Sequence, residues 1–242
     1  MTLISYFLLF FFVLAGGSLA FNPNFHKEGI LTRILTFVGA YILGILVLHL
    51  LPEVFRDATH KHIGLWILGG FFLQLFLDQL SLGVEHGHIH NHFHSGKMRF
   101  VLQVMLGLSL HAFIEGIPLG MNIQGKETLT RNLYYSVALH KAPEAFALVL
   151  LLLSSRLTKN IVVICLFVFA LMSPTGALLG MFLNNFSDKF SIVLALVCGA
   201  LFHISTTIIF ENESSNEHSI SFKKIWAVLA GVGLSLLTLW GE

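Results

Sequence analysis

Two short segments place imidazole and carboxylate together in apolar surroundings. "HAFIEGIPLG", residues 111–120, and "HKAPEAFAL", residues 140–148, each carry a His and then a Glu four residues later. That spacing puts both side chains on one face of a helix. Two such faces set against each other gather His111, Glu115, His140 and Glu144 around one point. Two imidazoles and two carboxylates suit a divalent first-row ion, zinc above all. A charge at the centre of a bilayer costs ~2.5–3.5 kcal/mol on insertion scales, so ionisable groups retained there are candidates for function.

Other polar residues leave more than one reading open. A third His-x-x-x-Glu, "HLLPE", holds His49 and Glu53. Glu53 lies near the end of its run, where water can solvate a carboxylate, so ligation and simple solvation stand level. His203 and Asp78 are single polar residues in apolar runs, each either a core group or part of an ion path. Lys141 lies beside His140; it either snorkels to an interface or balances the nearby carboxylates. The segment "EHGHIHNHFH" alternates His86, His88, His90, His92 and His94. Such a tract binds zinc or copper weakly and reads as an ion collector, a sensor or a solvated linker. Pro118 and Pro143 each remove one helical hydrogen bond within a turn of a candidate ligand, and Pro52 and Pro174 do the same in other runs. Irregular backbone at membrane depth is tolerated where it is buried in protein or lines a cavity. Gly44, Gly107, Gly116, Gly176 and Gly180 would let helices approach closely.

The elements that must hold these groups follow from composition. The chain has 242 residues, 55% hydrophobic and 11% charged, with mean hydropathy +0.81. Soluble domains carry about 25% charged residues, so lipid is the expected solvent. A net charge of +1 gives no case for nucleic acid. Eight apolar runs are long enough to cross a bilayer, roughly 2–21, 30–55, 62–84, 99–122, 130–153, 161–183, 190–210 and 222–240. Short polar breaks separate them, and the His-rich loop, residues 85–97, joins the third to the fourth. The runs are too long and too evenly apolar for barrel strands. The expectation is an all-α integral membrane protein, one transmembrane domain over 1–242. The opening "MTLISYFLLFFFVLAGGSLAF" lacks the basic start of a signal peptide and reads as the first helix. Cys165 and Cys198 lie in separate apolar runs and read as buried thiols. Lys27, Arg33, Lys97, Arg99, Arg156, Lys159, Lys223 and Lys224 fall on one side of this layout. Arg56, Lys61, Lys126, Arg131 and Lys189 fall on the other, an excess that puts the termini outside.

At "HAFIEGIPLG" and "HKAPEAFAL" the chain resembles the ZIP family, the zinc- and iron-regulated-transporter-like proteins. The family pattern H-x-x-x-E-G-x-x-x-G is met in the fourth run and H-x-x-P-E in the fifth. "HLLPE" and "SPTGALLG" look like family segments as well. The resemblance implies eight spans in a ZIP-like bundle, with two outer three-helix groups related as inverted repeats around the fourth and fifth helices. It implies transport of divalent cations into the cytosol by alternating access, with the metal site on His111, Glu115, His140 and Glu144. His49, Glu53, Lys141, His203 and the loop histidines stand as pathway or accessory residues. The ion is cargo, Zn2+ first and Fe2+, Mn2+, Co2+ or Cd2+ as alternatives, and no cofactor is required. The bilayer and a second copy of the chain stand among the partners; in a bacterium the location would be the plasma (inner) membrane. The rival class is an intramembrane metal-dependent hydrolase, but H-E-x-x-H is absent, and the resemblance implies a transporter and not an enzyme. Two positions depart from the family. Ala112 and Lys141 stand where many relatives carry donors to a second metal, which points to a single ion.

Overall fold

The computed structural model describes residues 3–25, 29–56, 62–84, 97–121, 127–155, 157–183, 189–210 and 222–238. Among these the regular structure is helical throughout: α1 (Leu3–Leu19), α2 (Ile30–Ile45), α3 (Leu51–Arg56), α4 (Ile63–Ser81), α5 (Lys97–Gly120), α6 (Glu127–Ser154), α7 (Lys159–Phe182), α8 (Phe190–Phe210) and α9 (Phe222–Leu237). The histidines of the 85–97 loop lie outside the described residues.

A π turn, Leu46–Leu50, joins α2 to α3, so the described helices make eight rods. Pro52 accounts for the turn. It cannot donate to the carbonyl four residues back, and the ladder widens just before it, where the Leu51 N–H reaches the Leu46 carbonyl. Six rods are long and apolar enough to cross a membrane, from Leu31–Arg56 to Phe190–Phe210. Among the described residues the first and last helices are below that length, with 17 residues in α1, which stops short of the run 2–21 at Leu19, and 16 in α9, within the run 222–240. After α1 the chain passes into turns before Pro23, which apolarity alone does not reveal.

The packing has a two-fold pattern. α1 packs on α6 as α7 packs on α5, α4 on α8 as α9 on α2, and α2 on α6 as α8 on α5. Each pairing maps onto its mate when α1 exchanges with α7, α2 with α8, α4 with α9 and α5 with α6, as two three-helix repeats around a central pair require. Two pairings break the pattern: α4 packs on α5 and α6 on α7, while α9 on α6 and α1 on α5 make no comparable contact.

Small residues make these approaches possible. A Cβ on Gly116 or Gly120 of α5 would collide with the Ser173 or Ala177 carbonyl of α7. One on Gly176 or Gly180 would collide with the Phe113 or Ile117 carbonyl of α5. The two helices thus meet through reciprocal small-x3-small faces. Gly180→Ala is expected to cost ~1–3 kcal/mol from overpacking, read as a lower unfolding temperature in detergent. Gly64→Ala, where an added Cβ has nothing within 4 Å, serves as the neutral control.

Large apolar side chains cover the outside of the bundle. Phe72 and Ile164, both within helices, are each 61% exposed, a surface suited to hydrocarbon and not to water. Inside there are two main apolar clusters. One takes Leu119 from α5 and Val137 from α6; the other takes Leu108 and Ala112 from α5 and Ala145 from α6. His111 and Glu115 of α5 fall between Leu108 and Leu119, and His140, Lys141 and Glu144 of α6 between Val137 and Ala145, in the middle of the bundle. Cys165 and Cys198 are buried free thiols.

Candidate metal centre

α5 supplies His111 and Glu115; α6 supplies His140, Lys141 and Glu144. All five side chains are buried. Glu115 Oε2 lies 3.2 Å from His111 Nε2 and 3.0 Å from His140 Nε2. Two lone pairs cannot face each other at that distance without a proton or a metal ion between them, so the arrangement has a place for a cation.

The outer ring nitrogens set the orientation of both imidazoles. His140 Nδ1 lies 2.7 Å from the Ser136 carbonyl, which can only accept, so Nδ1 carries the proton. His111 Nδ1 lies 2.8 Å from Gln74 Oε1 on α4, and the same assignment follows. Each ring therefore turns Nε2 towards the carboxylates, the arrangement in which outer hydrogen bonds orient metal-binding histidines.

Donor atoms of His111, His140 and Glu144 all lie within 4.8 Å of one another. Tetrahedral zinc, with ligand distances of ~2.1 Å, holds its donors about 3.4 Å apart, so side-chain shifts of about an ångström would close the set. Glu115 lies outside that trio but touches both imidazoles. Glu115 Oε1 and Glu144 Oε1 are buried without a hydrogen-bond partner among the described residues. Buried polar atoms in native proteins are paired in at least ~90% of cases, so two orphaned carboxylate oxygens in one cluster mark a place for a ligand.

Lys141 does not snorkel. It is fully buried, and its Nζ lies 2.9 Å from Glu115 Oε2 and 2.7 Å from Glu144 Oε2. The Phe169 ring of α7 covers it, with Nζ 5.8 Å from the ring centroid, within reach of a cation–π contact. Ala112 is buried in the apolar cluster that also holds Phe169 and brings no donor to the site.

The remaining polar candidates sit elsewhere. His49 Nε2 lies 2.9 Å from Thr238 Oγ1 beyond α9, and Glu53 pairs with Arg56 at 2.8 Å, one turn along α3. His203 of α8 faces Asp78 of α4, with Nε2 3.9 Å from Oδ2, and its ring meets Phe71 edge-on. None of these four residues belongs to the α5–α6 cluster. Gln74 was not among the sequence candidates. Its signal was a polar residue in the apolar stretch "FFLQLFLDQL", but its contact with His111 joins residues 37 positions apart.

The family model described as ZIP Zinc transporter matches residues 81–238. Zinc transporter ZIP9 of Micropogonias undulatus is 32% identical over 126 residues, covering 51% of this chain and 40% of that protein. Zinc transporter ZIP1 of Danio rerio is 33% identical over 104 residues, covering 43% of this chain and 33% of that protein. Protein zntD of Dictyostelium discoideum is 24% identical over 170 residues, or 63% of this chain and 25% of that protein. The chain thus spans less than half the length of these relatives.

Proposed function

The chain belongs to the ZIP zinc transporter family, and on that premise we propose that it carries divalent cations, zinc first, across a membrane into the cytosol through the α5–α6 cluster. One observation carries the reading: two imidazoles and two carboxylates converge in the buried middle of an apolar bundle, with both Nε2 atoms turned inward. The relatives named as zinc transporters support zinc as the cargo.

His111, His140 and Glu144 take the ion together with Glu115. Imidazole and carboxylate replace its water ligands, and the two carboxylates offset its charge together with that of the Lys141 ammonium, leaving the occupied site with one net positive charge. The Ser136 carbonyl and Gln74 keep the rings from turning away. The close faces of α5 and α7 hold the α5 ligands in place. Alternating access then exposes the site to one side and the other as helix groups slide, with the two three-helix repeats supplying the groups.

Purified protein in zinc-loaded and zinc-free liposomes tests this. Time-dependent uptake of radiolabelled zinc, reduced by competing divalent ions, is the expected result. No uptake above protein-free liposomes would overturn the reading. Lipid hydrolysis by the pure protein in place of uptake would do so in favour of a metal-dependent hydrolase.

A further inference from the structure

The two inward-facing imidazoles are held in different ways. His140 leans on its own helix, because the Ser136 carbonyl lies one turn back on α6. The His111 ring bonds to a side chain on another helix, Gln74 of α4. We propose that Gln74 is a positioning residue of the metal site, its side-chain carbonyl fixing the His111 ring with Nε2 turned to the ion. The proposal rests on the α5–α6 cluster being the ion site.

Four observations support it. Gln74 is 1% exposed, and its Oε1 lies 2.8 Å from His111 Nδ1. Leaving such a group unpaired inside an apolar bundle is costly, so a buried glutamine persists where its bond is used. Its helix is anchored on both sides. A Cβ at Gly70 would meet the Leu196 carbonyl of α8, and one at Gly107 of α5 would meet the Leu77 carbonyl of α4. Gln74 lies between those two anchor points on α4. Finally, α4 on α5 is one of the two pairings without a two-fold mate, and it is the pairing that brings Gln74 to His111. The Ser136 bond to His140 therefore travels with α6, while the Gln74 bond to His111 depends on α4 lying beside α5.

The chemistry of the bond makes the role separable from packing. A neutral imidazole in water favours the proton on Nε2, the nitrogen that the metal needs bare. An acceptor at Nδ1 reverses that preference. Gln74→Leu keeps most of the volume and removes the acceptor. Gln74→Glu keeps the acceptor.

The test uses full-length protein with His86, His88, His90, His92 and His94 changed to Ser, so that zinc on the loop does not interfere. Zinc affinity is read by chelator competition, and the His111 tautomer by nitrogen-15 NMR of the zinc-free protein, assigned against His111→Asn. Loss of an orienting partner costs ~10–100-fold in metal affinity. Gln74→Leu should weaken zinc binding by that factor and move the His111 proton from Nδ1 to Nε2. Gln74→Glu should retain both the affinity and the tautomer. Unchanged affinity or an unchanged tautomer in Gln74→Leu would overturn the proposal, as would a Gln74→Glu protein as weak as Gln74→Leu. If Gln74→Leu does not fold, the Gln74→Glu result decides alone, by retaining or losing the Nδ1 proton and the affinity. Failure of the underlying site is distinguishable, because zinc affinity would then be the same in His111→Asn as in the unsubstituted protein.

Discussion

Replacing Glu115 or Glu144 by Ala reduces zinc uptake to the level of protein-free liposomes, while the variant still reaches the membrane folded. The effect should exceed the ~10–100-fold lost when only a supporting residue is removed, because each change removes a ligand and half of the negative charge facing the ion. Glu115 has the wider reach: its Oε2 lies within 3.2 Å of both imidazoles and of the Lys141 ammonium. Without it, both Nε2 atoms lose their shared partner. Glu144 carries one of the three donors already close enough to converge on an ion. In either variant Lys141 keeps one carboxylate, at 2.7 Å in Glu115→Ala and 2.9 Å in Glu144→Ala. No buried cation is left wholly unpaired, the situation that costs ~3–5 kcal/mol and would endanger folding. Uptake is measured with equal amounts of reconstituted protein. Full activity in either variant would remove that residue from the site.

One zinc per chain is the expected stoichiometry at the membrane site, and it rises to two when Lys141 is changed to Asp together with Ala112 to Asn. The ammonium of Lys141 bridges the carboxylates of Glu115 and Glu144, the geometry of a tethered cation between two acids. A second divalent ion there would face that positive charge at close range in a low-dielectric interior, where the repulsion is many times its value in water. It would also lack donors, since Ala112 offers only a methyl group to an apolar cluster. The double substitution removes the cation and adds a carboxylate and an amide. The count is made by metal analysis of protein in which the loop histidines are replaced by Ser. Two tightly held zincs in that protein with Lys141 and Ala112 intact would refute the single-ion reading.

The local features of this molecule were the legible ones. His111 with Glu115 and His140 with Glu144 could be placed on common faces because helical geometry fixes what a spacing of four means. The central rods were legible because runs of that length and apolarity have few other fates. Gly116, Gly176 and Gly180 announced close approach, but not that α5 and α7 would be the partners. What the sequence hid was long-range. Lys141 could snorkel or pair, and only the position of α5 beside α6 decides, by putting Glu115 within 2.9 Å of its ammonium. His49 and Glu53 have the same spacing as the two ligand pairs, yet His49 lies in the π turn and Glu53 just after it near the end of a rod, where Thr238 and Arg56 take them up. Gln74, absent from the sequence candidates, takes its place only from α4 lying beside α5. The end of the first rod depends on the turns before Pro23, which hydropathy does not weigh.

The most direct measurement on the central claim is zinc K-edge X-ray absorption on the protein with its loop histidines replaced by Ser, loaded with one equivalent of zinc. Expected is a four-coordinate ion with imidazole and carboxylate ligands at ~2.0–2.2 Å, whose imidazole scattering falls when His111 or His140 is replaced by Asn. A zinc shell of water alone, or one that neither substitution changes, would contradict an ion site on α5 and α6.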